Sequence, residues 1–171
     1  MADFAVVSLP DTDHVDVGET APDFTRPLVN GEYWENVALS DLTAEDPVLL
    51  AFHPMDKAFL TTYLWQELKA RDWSETARVV GLSISDPYTH KQLLRDRGLV
   101  DEPYALFSDP GNAVAEAYGI VNRLDGMDGI EEPRPAIFLL DRDREVRSAW
   151  VAREWPDYPP YDDIERAIDR L

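Results

Sequence analysis

Val48-Leu49-Leu50-Ala51-Phe52-His53-Pro54 opens with five apolar residues that no polar side chain interrupts, entered from Pro47 and left through His53-Pro54. So short and uniformly apolar a run predicts a strand buried on both faces, because a half-solvated strand would alternate. Phe59 to Arg71 follows without Gly or Pro and sets Tyr63, Leu64, Trp65 and Leu68 at helical offsets, so a helix is predicted directly after the strand. The unit then recurs. Arg78-Val79-Val80-Gly81-Leu82-Ser83-Ile84 predicts a second buried strand, and Asp86-Pro87 caps and opens a helix through Gly98, with Leu93 and Leu94 inward. Ala105-Leu106-Phe107 predicts a short strand ending at Ser108-Asp109-Pro110, and Ala113 to Tyr118 a brief helix stopped by Gly119. Pro135 to Asp141 predicts a strand and Asp143-Arg144 a turn. Glu145 to Val151 predicts the hairpin partner, with Val146, Ser148 and Trp150 on one face. Tyr161 to Leu171 closes as a helix with Ile164 and Ile168 at i, i+4. Alternating strands and helices followed by a hairpin and a helix define an α/β sandwich around a mixed sheet of about five core strands.

Outward from this pattern, 171 residues of 44% apolar composition suit one domain with a real core. Residues 1–16 carry Asp11, Asp13, His14 and Asp16 with little pattern and are expected to form an arm or edge strand before a domain spanning 17–171. No apolar stretch is long enough for a membrane span, and Met1-Ala2-Asp3-Phe4 lacks the basic and apolar regions of a signal peptide, so a soluble, cytoplasmic protein is expected. The formal charge of −18 disfavours nucleic-acid and anionic-membrane partners. Lys57, Lys69 and Lys91 are the only lysines; an acidic, lysine-poor surface without a disordered tail leads to the expectation of a halophilic source, where salt screens self-repulsion. Cysteine is absent, which excludes disulfides, thiolate metal sites and cysteine nucleophiles from these residues.

Several segments, in order, resemble the peroxiredoxins, the alkyl hydroperoxide reductase and thiol-specific antioxidant group. Val17-Gly18-Glu19-Thr20-Ala21-Pro22-Asp23-Phe24 is similar to their opening VGxxAPDF, Val37 to Leu42 to VxLSDL, and Leu50 to Asp56 to the LxFYPxD that enters the active-site loop. Gly81 to His90 resembles GISxDSPxxH, Phe107-Ser108-Asp109 resembles LSD, Ala113 to Ile120 resembles VAxAYGV, and Phe138 to Asp143 resembles the closing FxIDxDG. The resemblance covers residues 17 to 171 and implies a thioredoxin-like fold, a central mixed sheet with helices on both faces.

The chemistry that the resemblance implies is thiol-based peroxide reduction, from a cysteine held at a helix start in P-x-x-x-T/S-x-x-C. Here the string is Pro54-Met55-Asp56-Lys57-Ala58-Phe59-Leu60-Thr61. Proline stays, Ala58 replaces the peroxide-binding hydroxyl, and Thr61 stands where the peroxidatic cysteine would be. Leu64 occupies the place of the family's glutamate three residues on. An alcohol stays protonated at neutral pH and has no sulfenic-acid state, so Thr61 is not expected to turn over peroxide. Without a resolving cysteine, thioredoxin-type reductants have no covalent handle. The family's supporting arginine falls, counting back from Phe138, on Pro135, with Arg134 one place earlier. A cis Arg134–Pro135 bond is expected, with Arg134 then able to point toward the Pro54 to Thr61 loop.

The expected ligand-binding set is therefore His53, Thr61 and Arg134, around ancestral positions Pro54, Ala58 and Thr61. No metal ligands are expected: His14 and His90 lack ligand spacing, and Asp11, Asp13 and Asp16 lack the glycine and glutamate of a calcium loop. No cofactor is expected either. His53 reads as a structural histidine against a proton-shuttle role, and Thr61 as a helix-start hydroxyl rather than a nucleophile, for which only Lys57 and His53 stand nearby as bases. Phe59, Tyr63 and Trp65 could line a ligand pocket or a dimer face, or pack in the core. Trp150, Trp155, Tyr158 and Tyr161 either fold the C-terminal proline segment back on the sheet or present a partner surface. The leading expectation is a non-peroxidatic binding or interaction protein, a homodimer through the aromatic loop or a partner or small ligand at Pro54 to Thr61. The competing expectation is an antioxidant oxidoreductase using a cofactor, metal or partner-supplied thiol.

Overall fold

Val48–Phe52 is buried throughout, and it divides its side chains between two cores: Val48, Leu50 and Phe52 on one face, Leu49 and Ala51 on the other. A computed structural model describes residues 5–123 and 127–171; Met1 to Phe4, on which the leader-segment expectation falls, lie outside them. In chain order the elements are β1 (Val7–Ser8), β2 (Thr25–Val29), β3 (Trp34–Ala38), α1 (Leu39–Glu45), β4 (Val48–Phe52) and α2 (Phe59–Arg71). A 3-10 turn at Trp73–Glu75 leads to β5 (Arg78–Ser83), α3 (Pro87–Asp96), β6 (Ala105–Ser108), α4 (Ala113–Tyr118), β7 (Val121–Asn122) and β8 (Glu132–Pro133). Then come β9 (Ala136–Leu140), β10 (Val146–Val151), β11 (Glu154–Trp155) and α5 (Tyr161–Asp169).

The main sheet runs β10-β9-β4-β5-β6-β2-β3, seven strands. Strands β4, β5 and β6 are parallel and the outer pairs antiparallel, so the sheet is mixed. Helices α1 and α4 cover one face through Leu39, Leu42, Val114 and Tyr118. Helices α2, α3 and α5 cover the other through Trp65, Leu68, Leu94 and Ile164. Asp86 caps α3, its carboxylate accepting the Thr89 amide at 2.8 Å, with Pro87 at the first turn.

Three expectations need correction. The sheet exceeds five strands because β2 and β3 add a hairpin. The hairpin partner of β9 does not keep Val146, Ser148 and Trp150 together: a bulge between Val146 and Ser148 reverses the facing of the remaining residues of β10, so Val146 joins one core and Trp150 packs against the other. The Arg134–Pro135 bond is not cis; among the described residues the cis bond is Trp155–Pro156. The chain runs extended from β8 into β9 there, the Arg134 amide donating to Ile120 and the Pro135 carbonyl accepting from Ala152, as a trans peptide allows.

Candidate functional site

Strand β4 delivers His53 and Pro54 to the start of α2, and Thr61 sits in the first turn of that helix, fully buried. Its hydroxyl lies 3.0 Å from the Pro54 carbonyl and 3.1 Å from that of Met55. Both carbonyls can only accept, so the one hydroxyl proton is committed to the backbone of the loop. His53, also buried, has Nδ1 2.7 Å from the Pro54 carbonyl, which assigns the ring proton to Nδ1. Its Nε2 accepts from the Trp65 indole N–H at 3.4 Å. Burial lowers the imidazole pKa to about 4, against the opposing field of Asp56. The nitrogen near Thr61, at 3.5 Å, thus carries a proton and the basic nitrogen faces away, so His53 is not arranged to activate the hydroxyl.

Beside His53 the packing is tight. His53, Pro54, Leu60, Pro135, Trp150 and Tyr158 border a crevice of about 20 Å³, room for roughly one water. Pro135 stands in its wall where the resemblance implies an arginine, and Leu64 is buried in the core where it implies a glutamate. The C-terminal aromatics fold back over this spot: Tyr158 contacts Tyr63, and Trp150 and Tyr161 pack against the core.

Arg134 does not join it. One residue before Pro135, it points instead to the N-terminal arm, Nη1 donating to the Pro10 carbonyl at 2.8 Å and the Ala152 carbonyl at 3.2 Å. A one-residue offset in an extended segment reverses the side of the chain on which a side chain emerges. The expected set of His53, Thr61 and Arg134 is therefore split: the first two meet and the third lies elsewhere.

Sequence reasoning missed two buried carboxylates behind the loop. Asp56 accepts from Ser83 at 3.0 Å and lies 2.6 Å from His90 Nδ1, while His90 Nε2 lies 3.0 Å from the Phe107 carbonyl. Each ring nitrogen of His90 thus meets an oxygen, Nδ1 the Asp56 carboxylate and Nε2 the Phe107 carbonyl. Burial pushes the Asp56 carboxyl up, and His90, His53 and Ser83 together outweigh it and hold it below its ordinary value. The network pins β5, α3, β6 and the loop to one another. Its signal was present in the closing Asp56 and His90 of two family strings. Glu132 on β8 accepts the Met55 amide at 3.1 Å and fixes the loop from the other side. Among the described residues no group of three or more His, Asp or Glu side chains is placed to hold a metal ion.

On the outside of the loop lies an open groove of about 840 Å³, with Lys57, Ala58, Phe59, Ile84, Met127 and Trp155 among its lining. Beside it Phe59, Tyr63 and Tyr158 form a contiguous strip, each about half exposed, with rings 6.4 and 6.3 Å apart. Trp65 is the exception in this aromatic set, wholly buried beneath Tyr104 and His53.

A mixed sheet with helices on both faces, and a loop that feeds a helix from the end of the central strand, define a thioredoxin-like fold. The reduced 2-Cys peroxiredoxin of Plasmodium vivax shares it with a TM-score of 0.74 at 25% identity, over 90% of this chain and 94% of that one. Residues 17–149 match the AhpC/TSA family, and the chain belongs to that family. The peroxiredoxin-type protein bcp of Coxiella burnetii is 31% identical over 145 residues, 80% of this chain and 88% of its own. The peroxiredoxin-type protein ycf42 of Porphyra purpurea is 34% identical over 113 residues, 62% of this chain and 56% of its own. The chain thus spans little more than half the length of that relative.

Proposed function

We propose that this chain is a member of the AhpC/TSA family that has exchanged thiol peroxidase chemistry for binding, and that the outer face of the Pro54 to Thr61 loop is where it docks. The observation that carries this reading is the Thr61 hydroxyl: buried, committed to the Pro54 and Met55 carbonyls, and standing where the resemblance implies a thiolate. A cysteine-free chain offers no sulfur to oxidise at that position, and the crevice at neighbouring His53 has room for about one water. The half-exposed strip of Phe59, Tyr63 and Tyr158 supports a second copy of the chain as the occupant, aromatic side chains being what interface cores favour. Its charge and scarcity of lysine support a cytoplasm of high salt as the setting.

Sedimentation in molar KCl tests the docking half. A dimer that Tyr63→Ser and Phe59→Ser convert to a folded monomer is the expected result. A monomer at every concentration, or a dimer indifferent to both substitutions, overturns it.

A further inference from the structure

Arg134 is the one lysine or arginine among the described residues that is buried, at 4% exposure. With Nη1 spent on two carbonyls, its Nε is buried without a hydrogen-bond partner. Among the described residues no carboxylate lies within ion-pair distance of the guanidinium. In a chain with 34 acidic residues, a buried cation without a counter-ion is not explained by a shortage of carboxylates. The group lines a cavity of about 290 Å³ between the N-terminal arm and the end of β10, together with Leu9, Asp11, His14, Val151 and Arg153. Arg153 is exposed, and its guanidinium likewise has no carboxylate partner among the described residues. His14 spends Nδ1 on the Val15 carbonyl at 2.8 Å. Asp11, exposed at the rim, is the acid whose field Arg134 feels.

We infer that this cavity is an oxyanion site, taking the carboxylate or phosphate group of a small molecule on the Nε–Nη2 edge of Arg134, with Arg153 as the second cation. The edge left over after Nη1 is satisfied is the planar fork that accepts two oxygens side by side. The volume lies at the lower end of small-molecule pockets, so the ligand is a compact one. Pro135 and Arg134 emerge on opposite sides of the chain, so the site is separate from the crevice at His53 and does not depend on it.

Nitrogen-15 NMR of the full chain, titrated with sodium acetate or with inorganic phosphate against sodium chloride at matched ionic strength, tests the assignment. Saturable movement of the Arg134 side-chain Nε–H signal and of the Ala152 and Arg153 amides is expected with at least one oxyanion and not with chloride. Whichever of acetate and phosphate saturates at lower concentration identifies the group. Arg153→Gln is expected to weaken that binding about tenfold, the worth of one charge-assisted contact. Asp11→Asn is expected to strengthen it about twofold by removing an exposed like charge. An Arg134 that serves only to tie the arm to β10 would keep an unmoved Nε–H signal. That result, or saturable shifts indifferent to both substitutions, overturns the proposal without relying on a variant that disturbs folding.

Discussion

His53 and Thr61 lie 3.5 Å apart and yet do not form a base and nucleophile, because the proton that each carries is already directed at the loop backbone. The state of His53 has a consequence for stability. Its pKa falls from 6.5 to about 4 on folding, so between those values the unfolded chain binds a proton that the folded chain does not. Stability from this group is therefore complete above pH 6.5 and is lost as pH falls toward 4, by about 3 kcal/mol across the window. Urea unfolding at stepped pH should show this slope, and His53→Phe should flatten it; an unchanged slope would refute the burial of a neutral ring. Thr61→Val should cost about 1 kcal/mol and no more, since the Pro54 and Met55 carbonyls keep His53 Nδ1–H and the Ala58 amide as other donors. A loss of several kcal/mol in the same unfolding experiment would mean that the hydroxyl supports more than the loop turn.

At the scale of elements, β5 is held against α2 by the absence of a side chain. A Cβ on Gly81 would come within 2.6 Å of both Leu106 Cδ2 and Trp65 Cζ2 and 2.9 Å of His53 Nε2. Gly81→Ala should destabilise by about 1–3 kcal/mol through overpacking, with loss of the buried Trp65 environment visible in its fluorescence. A wild-type midpoint would show that the α2 to β5 spacing is looser than described. The elements legible in the sequence are those whose burial is uniform or strictly periodic: Val48–Phe52 and Phe59–Arg71 match their expected limits. The β2–β3 hairpin was not legible because Pro27 interrupts one strand and Glu35 and Asn36 the other. Pro27 is tolerated since β6 pairs only with Leu28 and Val29, so its missing N–H faces no ladder on that side. In the site, the replacement at Thr61 is legible once the family resemblance aligns Pro54 to Thr61 with P-x-x-x-T/S-x-x-C. The direction of Arg134 is not, because a one-residue offset before β9 reverses its side and no local signal records that. The Asp56–His90 pair, joined across 34 positions of chain, has no periodicity to announce it.

Over the whole molecule, the acidic excess is spread along the chain, while the cations that pair with it are mostly arginines on the surface. Self-repulsion in a chain of −18 is screened within a few ångströms at molar salt. The melting temperature, measured by circular dichroism, should therefore rise from dilute buffer to molar KCl; equal values would contradict the setting proposed for this protein. The AhpC/TSA scaffold is kept while the crevice at His53 is walled by Leu60 and Pro135, and the proposed function has the chain retain the architecture and drop the chemistry. The measurement that tests this most directly is hydrogen peroxide consumption by the purified chain in molar KCl with dithiothreitol as reductant, against a protein-free control. The account predicts a rate equal to the control. Protein-dependent turnover would contradict it and would mean that a cofactor, a metal or a thiol from a partner does what Thr61 cannot.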